Sequence, residues 1–388
     1  MMQCRLLSSA SRRLPQFSFP AAPLPASSPA GFAPTPERIT FDASRHLALE
    51  KPEYIRMLRS DPAANTDLVR FPVSVSAAAE GSPDLATALD GSAQVPFSGL
   101  AFTAPFRLLS DEGVAALREV IAGNEEHARG LPGRAAKSLR GLGYRSEFIR
   151  QLNYCEEIRN HLSQMAGCPL GPHHVPSNLS QTNFGEIGGD KPVDVWHIDS
   201  VDYVMVLLLS DATDMEGGEL QVARLNGGDP ALAIEQINAE GIAEEDMDVA
   251  TYPGPGYAIF MQGSRIAHAV TPVTAAREPR LTVVNSYHSL NPFVEDKTRF
   301  VTYKDVDGFD TARYEYARHK AWRVQGQLDF LMKGNVGGAG GAETGAGEEG
   351  LFADPETVLE VLDRAAAELK QARDLVSGEV IDERPYKV

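Results

Sequence analysis

His197 and Asp199 stand in the run Trp196-His197-Ile198-Asp199, at the end of a stretch whose texture predicts a strand. On a strand an i, i+2 relation points two side chains to one face, so this imidazole and carboxylate can share a metal ion. The pair alone says little. Nine histidines and 53 acids among 388 residues give about one H-x-[DE] by chance.

The context is His268, 69 residues beyond Asp199 in Phe-Met-Gln-Gly-Ser-Arg-Ile-Ala-His-Ala-Val, an apolar stretch with no evident use for an imidazole. Two imidazoles and one carboxylate form a facial triad that leaves coordination positions open, which suits a non-haem iron that must also hold an organic acid and dioxygen; the same ligands also serve zinc. Arg280 lies 12 residues after His268, at the start of Arg-Leu-Thr-Val-Val, with Thr282 on the same strand face. A guanidinium is fixed in charge and forked to receive a carboxylate, and a neighbouring hydroxyl adds one more hydrogen bond. Together they suit the distal carboxylate of a dicarboxylic cosubstrate.

Each of these residues also has a plainer use. His197 and Asp199 would make a surface ion pair, His268 a satisfied core histidine, and Arg280 a structural salt bridge. Asn183, 14 residues before His197 on an expected strand, either binds cosubstrate or substrate or satisfies backbone at a strand end. Tyr203, Tyr287 and Arg224 are further candidates for a pocket wall, with core or surface roles equally open. His173-His174 precedes Val175-Pro176, has no spacing to a third ligand, and reads as surface.

The elements that would position these residues are mostly strands. From Ser177 onward come SQTNFGEI, DYVMVLLLS, GELQVA, GYAIFM, IAHAVTPV and LTVVNSY, separated by GGDKP, MEGGE, NGGDP and PGPG. Short apolar runs between turn formers predict an antiparallel, mainly β core of barrel or jelly-roll type, in an α+β chain whose helices gather on the N-terminal side. Ala231–Asp248 reads as an insertion between core strands. Ser110 is placed to cap a helix carrying Val114, Leu117, Val120 and Ile121, and a second helix is expected from Glu147 to Met165.

The order H-I-D, G-G-E-L, P-G-P-G-Y-A-I-F, H-A-V-T-P-V and R-L-T resembles the iron(II)/2-oxoglutarate-dependent dioxygenase superfamily, and within it the prolyl-hydroxylase-like group. The resemblance spans about Ser177 to Ser289. It implies a double-stranded β-helix (jelly-roll) fold, with His197, Asp199 and His268 as Fe(II) ligands and Arg280, helped by Thr282, on the C5 carboxylate of 2-oxoglutarate. It also implies oxidation of an unactivated C–H bond with O2, releasing succinate and CO2, with ascorbate as a candidate reductant. Many prolyl hydroxylases carry Lys where this chain has Arg280, which weakens a prolyl assignment. Related halogenases lack the carboxylate ligand, so Asp199 favours hydroxylation or another oxidation. The substrate expected is a small molecule or a protein side chain. A catalytically silent barrel used for binding or scaffolding is the alternative, and a zinc hydrolase lacks a dedicated base beside the triad.

The remaining composition bounds the partners. A net charge of −17 opposes nucleic-acid binding, which depends on neutralising phosphates. The longest apolar run, Tyr203 to Leu209, is far short of a membrane span. Cys4, Cys155 and Cys168 neither make a disulfide framework nor match zinc spacing, and read as buried thiols. Residues 1–36 hold no Asp or Glu but carry Arg5, Arg12 and Arg13 among serines, which is a transit-peptide composition that leans mitochondrial over plastid; the alternative is a tail of no targeting value, on a chain that stays cytoplasmic. Without them 33 bases would face 53 acids, a net −20.

The expected organisation is therefore a leader (1–36), a mostly helical support region (37–176), the dioxygenase core (177–332), a glycine-rich linker (333–350), and a C-terminal helix and tail (351–388). That helix, capped by Asp354 with Pro355 at its first turn, carries Val358, Leu362, Ala366, Leu369 and Leu375. Its stripe must dock on the chain's own core or on a second copy.

Overall fold

From residue 181 onward eight strands build the two main sheets, β1 (Gln181–Gly185), β2 (Asp194–His197), β3 (Tyr203–Leu208), β4 (Leu220–Ala223), β5 (Met247–Ala250), β6 (Tyr257–Met261), β7 (His268–Val270) and β8 (Arg280–Ser289), while the short strands Glu216–Gly217 and Val273–Ala275 pair with each other apart from them. The computed structural model describes residues 18–58, 69–70, 99–131, 135–224, 230–332 and 355–378. The eight strands form two antiparallel sheets, ordered β6-β3-β8-β1 and β5-β4-β7-β2. Along the sequence, every strand but β5 lies in the sheet opposite to the strand before it.

Period-two alternation then sorts each strand's side chains. On one face of the larger sheet Val204, Leu208, Ile259 and Met261 meet Leu220 and Val222 from the smaller sheet and Tyr252 from the loop after β5. On the other face Tyr203, Met205, Leu207, Phe260, Val283 and Tyr287 pack against helices. Because both faces of β3 are covered, its sequence is a continuous apolar run, not an alternating one.

Those helices are α1 (Asp111–Ala122), α2 (Glu147–Tyr154) and α3 (Glu156–Ala166). The Ser110 side chain accepts from Gly113 N at 3.0 Å, and Val114, Leu117, Val120 and Ile121 are buried. The single helix expected over 147–165 is two, joined at Cys155, whose ψ of 125° is extended. Ser146 caps the first, and the paired acids Glu156 and Glu157 open the second. Phe148, Leu152, Ile158 and Leu162 still share one core.

Three expectations need correction. The expected insertion ends too late, since Met247 and Asp248 already belong to β5 and only α4 (Pro230–Glu240) and the turn after it stand apart. On that strand the charge of Asp248 is matched by Arg224 at 2.7 Å and Arg56 at 3.1 Å. The described residues of the support region carry strands beside their helices: Tyr54–Met57 and Leu100–Thr103 extend the larger sheet beyond β6, and Ala135–Leu139 extends it beyond β1. The core region ends in helices, α5 (Phe300–Asp307) and α6 (Phe309–Met332).

The C-terminal helix, α7 (Pro355–Ser377), docks on its own chain. Lys320 and Arg323 of α6 reach Glu368 of α7, Lys320 also binding Asp296 at 2.8 Å. Val361, Ala365, Ala372 and Leu375 are buried there, while Leu362 and Leu369 remain exposed. The face presented to α6 is rotated from the expected stripe and includes Ala365 and Ala372. Asp354 and the linker 333–350 lie outside the described residues. Cys155 is buried, Cys168 half-buried, and both are free; Cys4 lies outside. Among the described residues no helix is long and apolar enough to cross a membrane.

Residues 18–36, expected to belong to a leader, pack on the body. Phe19 N donates to Leu290 O at 2.8 Å, Trp322 Nε1 to Pro20 O at 2.7 Å, and Thr35 N to Arg145 O at 2.8 Å. Glycines make the room: a Cβ on Gly141 would lie 2.2 Å from the Phe32 ring, and one on Gly326 3.1 Å from Phe19. A leader boundary at Glu37 would cut away these contacts.

His173 and His174 are not on the surface. Both are buried with His288 and His319, in a loop folded under α6. Ala22 N donates to His174 Nε2 at 3.2 Å, so the proton sits on His174 Nδ1, which faces His319 Nδ1 at 3.3 Å; His319 Nε2 then donates to Asp296 Oδ1 at 3.1 Å. Burial holds His173 and His174 well below the usual imidazole range and His288 down to about 3; it also lowers His161. Burial raises Asp202 and Glu315 to about 7, with the opposite effect on proton uptake. His173, His174, His288 and the similarly lowered His268 take up protons on unfolding, as to a lesser degree does His161, and together they outweigh two carboxyls that protonate on folding, so the unfolded chain binds more protons below pH 6.5. The melting temperature should therefore fall as pH drops from 6.5 to 5; a flat or rising profile in scanning calorimetry would contradict this burial pattern.

Candidate metal centre

β2 and β7 are neighbours in the smaller sheet, and their register sets His197 directly opposite His268. The two rings lie 4.2 Å apart between centroids. Asp199 follows β2 in the next turn, where its N donates to Gly263 O at 2.9 Å. Its Oδ1 lies 3.5 Å from His197 Nε2 and its Oδ2 3.6 Å from His268 Nε2. One atom from each of the three falls within 4.8 Å of the others, the only such group among the described residues.

The tautomers follow from the carbonyls behind the rings. His197 Nδ1 lies 2.6 Å from Val195 O, and His268 Nδ1 lies 3.1 Å from Ile266 O. A carbonyl only accepts, so each Nδ1 carries the proton and each Nε2 turns a lone pair toward Asp199. Burial, and then the neighbouring His197, push His268 down to about 4 against the pull of Asp199, so it is neutral and ready to ligate. Two neutral imidazoles and one carboxylate fit a divalent ion of the iron or zinc type.

Arg280 begins β8 in the larger sheet and is 2% exposed. Nη1 donates to Thr282 Oγ1 at 3.2 Å, while Nε and Nη2 have no acceptor. Tyr252 lies under the guanidinium at 5.7 Å. Burial lowers the Arg280 pKa, opposed by Tyr252, Asp194 and Glu219, but a guanidinium stays charged in a protein. Leaving a buried cation's donors unpaired costs on the order of 1 to 3 kcal/mol, so these two N–H groups mark where an anion belongs. Gly218 keeps the place open, since a Cβ there would lie 2.9 Å from Arg280 Cδ.

Thr282 and Asn183 face each other across β8 and β1. Asn183 Oδ1 accepts from Ser138 Oγ at 2.9 Å and Gln181 Nε2 at 3.1 Å, so its carbonyl serves side chains of the wall and not backbone. The other candidates lie elsewhere. Tyr203 and Tyr287 pair across β3 and β8 on the helix-covered face, and Arg224 binds Asp248 and Glu245 O near the surface. A cavity of about 450 Å³ between the 293–298 loop, α6 and α7 shares no residue with the triad.

Sequence reading missed Gly263 and Tyr252. Gly263 stood in Met-Gln-Gly-Ser, which signals only a turn, and Tyr252 in a polar stretch before Pro253. Their roles appear only once β6, β7 and β8 are assembled.

No family model and no curated protein matches this chain. Among solved structures, the non-heme alpha-ketoglutarate-dependent epimerase SnoN from nogalamycin biosynthesis is 20% identical, covering 49% of this chain and 78% of that one with a TM-score of 0.38. EctD from S. alaskensis is 15% identical over 61% of this chain and 84% of its own, with a TM-score of 0.37. AviO1 from Streptomyces viridochromogenes Tue57 is 17% identical over 50% and 91%, with a TM-score of 0.34. Overlaps at this level carry no functional conclusion, and the site's own geometry must supply one.

That geometry is tight at Gly263, where a Cβ would lie 1.8 Å from Asp199 Oδ2. Gly263→Ala must displace the carboxylate while leaving both histidines in register. Its affinity for Mn(II), followed by the EPR signal of the free ion, should drop roughly 10- to 100-fold with folding retained by circular dichroism. Wild-type affinity would show that Asp199 is not held as a ligand.

Proposed function

We propose that this chain is a non-haem Fe(II), 2-oxoglutarate-dependent oxygenase that oxidises a C–H bond of a small molecule or a protein side chain. One observation carries the reading: a His-Asp-His triad with both imidazoles buried shares the space between two sheets with a buried guanidinium that has two N–H groups without a protein acceptor. Either half alone has ordinary explanations. The strand orders of the two sheets support a double-stranded β-helix of the jelly-roll kind.

His197, Asp199 and His268 would hold the metal, their Nε2 atoms and carboxylate already turned to one another. Arg280 would bind the distal carboxylate of 2-oxoglutarate through Nε and Nη2, and Thr282 holds the guanidinium by accepting from Nη1. Tyr252 excludes water beneath it. When bound, iron, 2-oxoglutarate and O2 supply the oxidising power: the cosubstrate leaves as succinate and CO2 while one C–H bond is oxidised. The protein's share is to fix these parties and keep the pocket dry.

The motif pattern is closest to the prolyl-hydroxylase-like group, but Arg280 in place of lysine argues against reading a prolyl substrate from it. Asp199 favours hydroxylation over halogenation, because a carboxylate occupies the position a halide would need.

With Fe(II), 2-oxoglutarate and O2, the protein should release succinate even without its substrate, at a slow uncoupled rate, and His197→Ala should abolish this. Arg280→Ala should raise the dissociation constant for 2-oxoglutarate about 10- to 100-fold, the loss expected from a charge-assisted contact. No succinate from metal-loaded wild type, or unchanged cosubstrate affinity in the Arg280 variant, would contradict the reading.

We further propose import into an organelle, the mitochondrion before the plastid, on the acid-free, arginine-bearing N-terminus. The packing of residues 18–36 then requires cleavage before Phe19. Terminal sequencing of the protein from its native source should find a start at or upstream of residue 19, and a start at 37 would refute this.

A further inference from the structure

Arg140 follows the strand Ala135–Leu139 and attracts no notice in the sequence, where it is one arginine in Ser-Leu-Arg-Gly-Leu-Gly. In the fold all three of its guanidinium nitrogens donate. Nε donates to Asp307 Oδ1 at 2.8 Å and Nη2 to Asp307 Oδ2 at 2.5 Å, a bidentate pair with both side chains largely buried. Nη1 donates to Asn178 Oδ1 at 2.5 Å and to Gln181 Oε1.

Each partner leads to a different half of the site. Gln181 lies on β1 and donates through Nε2 to Asn183 Oδ1; Asn183 faces Thr282 in register, and Thr282 holds Arg280. Asp307 closes α5, and one turn earlier α5 grips the residue after the carboxylate ligand. Thr302 Oγ1 lies 2.8 Å from Ser200 Oγ, and Tyr303 OH donates to Ser200 O at 3.3 Å. Asp307 is itself steadied by Ser177 Oγ at 3.0 Å, and Ser177 is bound in turn by Glu315.

We propose that Arg140 is a positioning residue for both halves at once, holding the cosubstrate wall through Gln181 and the carboxylate ligand Asp199 through Asp307, α5 and Ser200. Naming those halves rests on the oxygenase reading; the geometry of the bridge does not. Arginine suits the post because its planar fork can hold a carboxylate with two nitrogens while the third serves side-chain carbonyls. Lysine would keep the charge and lose the fork. Partners behind metal ligands typically govern affinity by roughly 10- to 100-fold, which is the effect to look for.

The test separates the two arms. Mn(II) binding is followed by EPR, and 2-oxoglutarate binding to the Mn(II)-loaded protein by calorimetry under argon, with melting temperatures measured alongside. Arg140→Gln should weaken both ligands at least tenfold, and Arg140→Lys should recover little of either. Asp307→Asn should weaken Mn(II) more than 2-oxoglutarate, and Gln181→Ala the reverse. A purely structural arginine would lower the melting temperature without such a split.

Folded Arg140→Gln protein with wild-type affinity for both ligands would overturn the proposal. So would Asp307→Asn and Gln181→Ala shifting both ligands in equal proportion. If Arg140→Gln does not fold, the two partner variants decide alone. Wild type that binds Mn(II) but no 2-oxoglutarate would sink the oxygenase reading and the cosubstrate arm, leaving the metal arm to be judged by Asp307→Asn.

Discussion

A guanidinium buried at 2% exposure with two donors facing no acceptor is an expense that a stable fold does not carry without a use. Much of the surrounding architecture is arranged so that Arg280 can sit there. β8 carries it at its first residue, Thr282 fixes one nitrogen, Tyr252 lies under its plane, and Gly218 and Gly185 leave room beside it. Asp194 and Glu219 temper the charge without closing on it. What remains, between the same two sheets that carry the triad, is a pair of N–H groups that would suit a carboxylate.

The triad is built by different means. Its histidines owe their alignment to sheet register, His197 opposite His268, and their tautomers to two backbone carbonyls. Asp199 has no strand to hold it and depends on Gly263 in front and on the Ser200 contact with α5 behind. The carboxylate is thus the member of the triad most dependent on contacts elsewhere in the molecule, which is why the proposed bridge from Arg140 to Asp307 would bear on a metal held there.

Much of the candidate site was legible in the sequence because His197, His268, Arg280 and Thr282 sit on strands, where period-two spacing places Thr282 beside Arg280; Asp199, expected on the strand with His197, instead lies in the turn just after it. Trp-His-Ile-Asp, His268 and Arg-Leu-Thr could be read without knowing the sheet order. What escaped notice depends on contacts between distant segments. His173-His174 looks like a polar loop until α6 covers it; the strand holding Asp248 looks like an insertion until Arg224 and Arg56 neutralise it. Residues 18–36 have no periodicity at all, and their place is set by Gly141 and Gly326, which lie far along the chain. Gly263 and Arg140 belong to the same class, being ordinary residue types given a role by assembly alone.

The central claim is that the triad and Arg280 hold one metal and one dicarboxylate together, and an anaerobic titration addresses it most directly. Fe(II) and 2-oxoglutarate added to metal-free protein under argon should produce a visible charge-transfer absorption that needs both additions and saturates at one equivalent of each. Protein that binds a metal ion but gives no such band with 2-oxoglutarate would contradict the account.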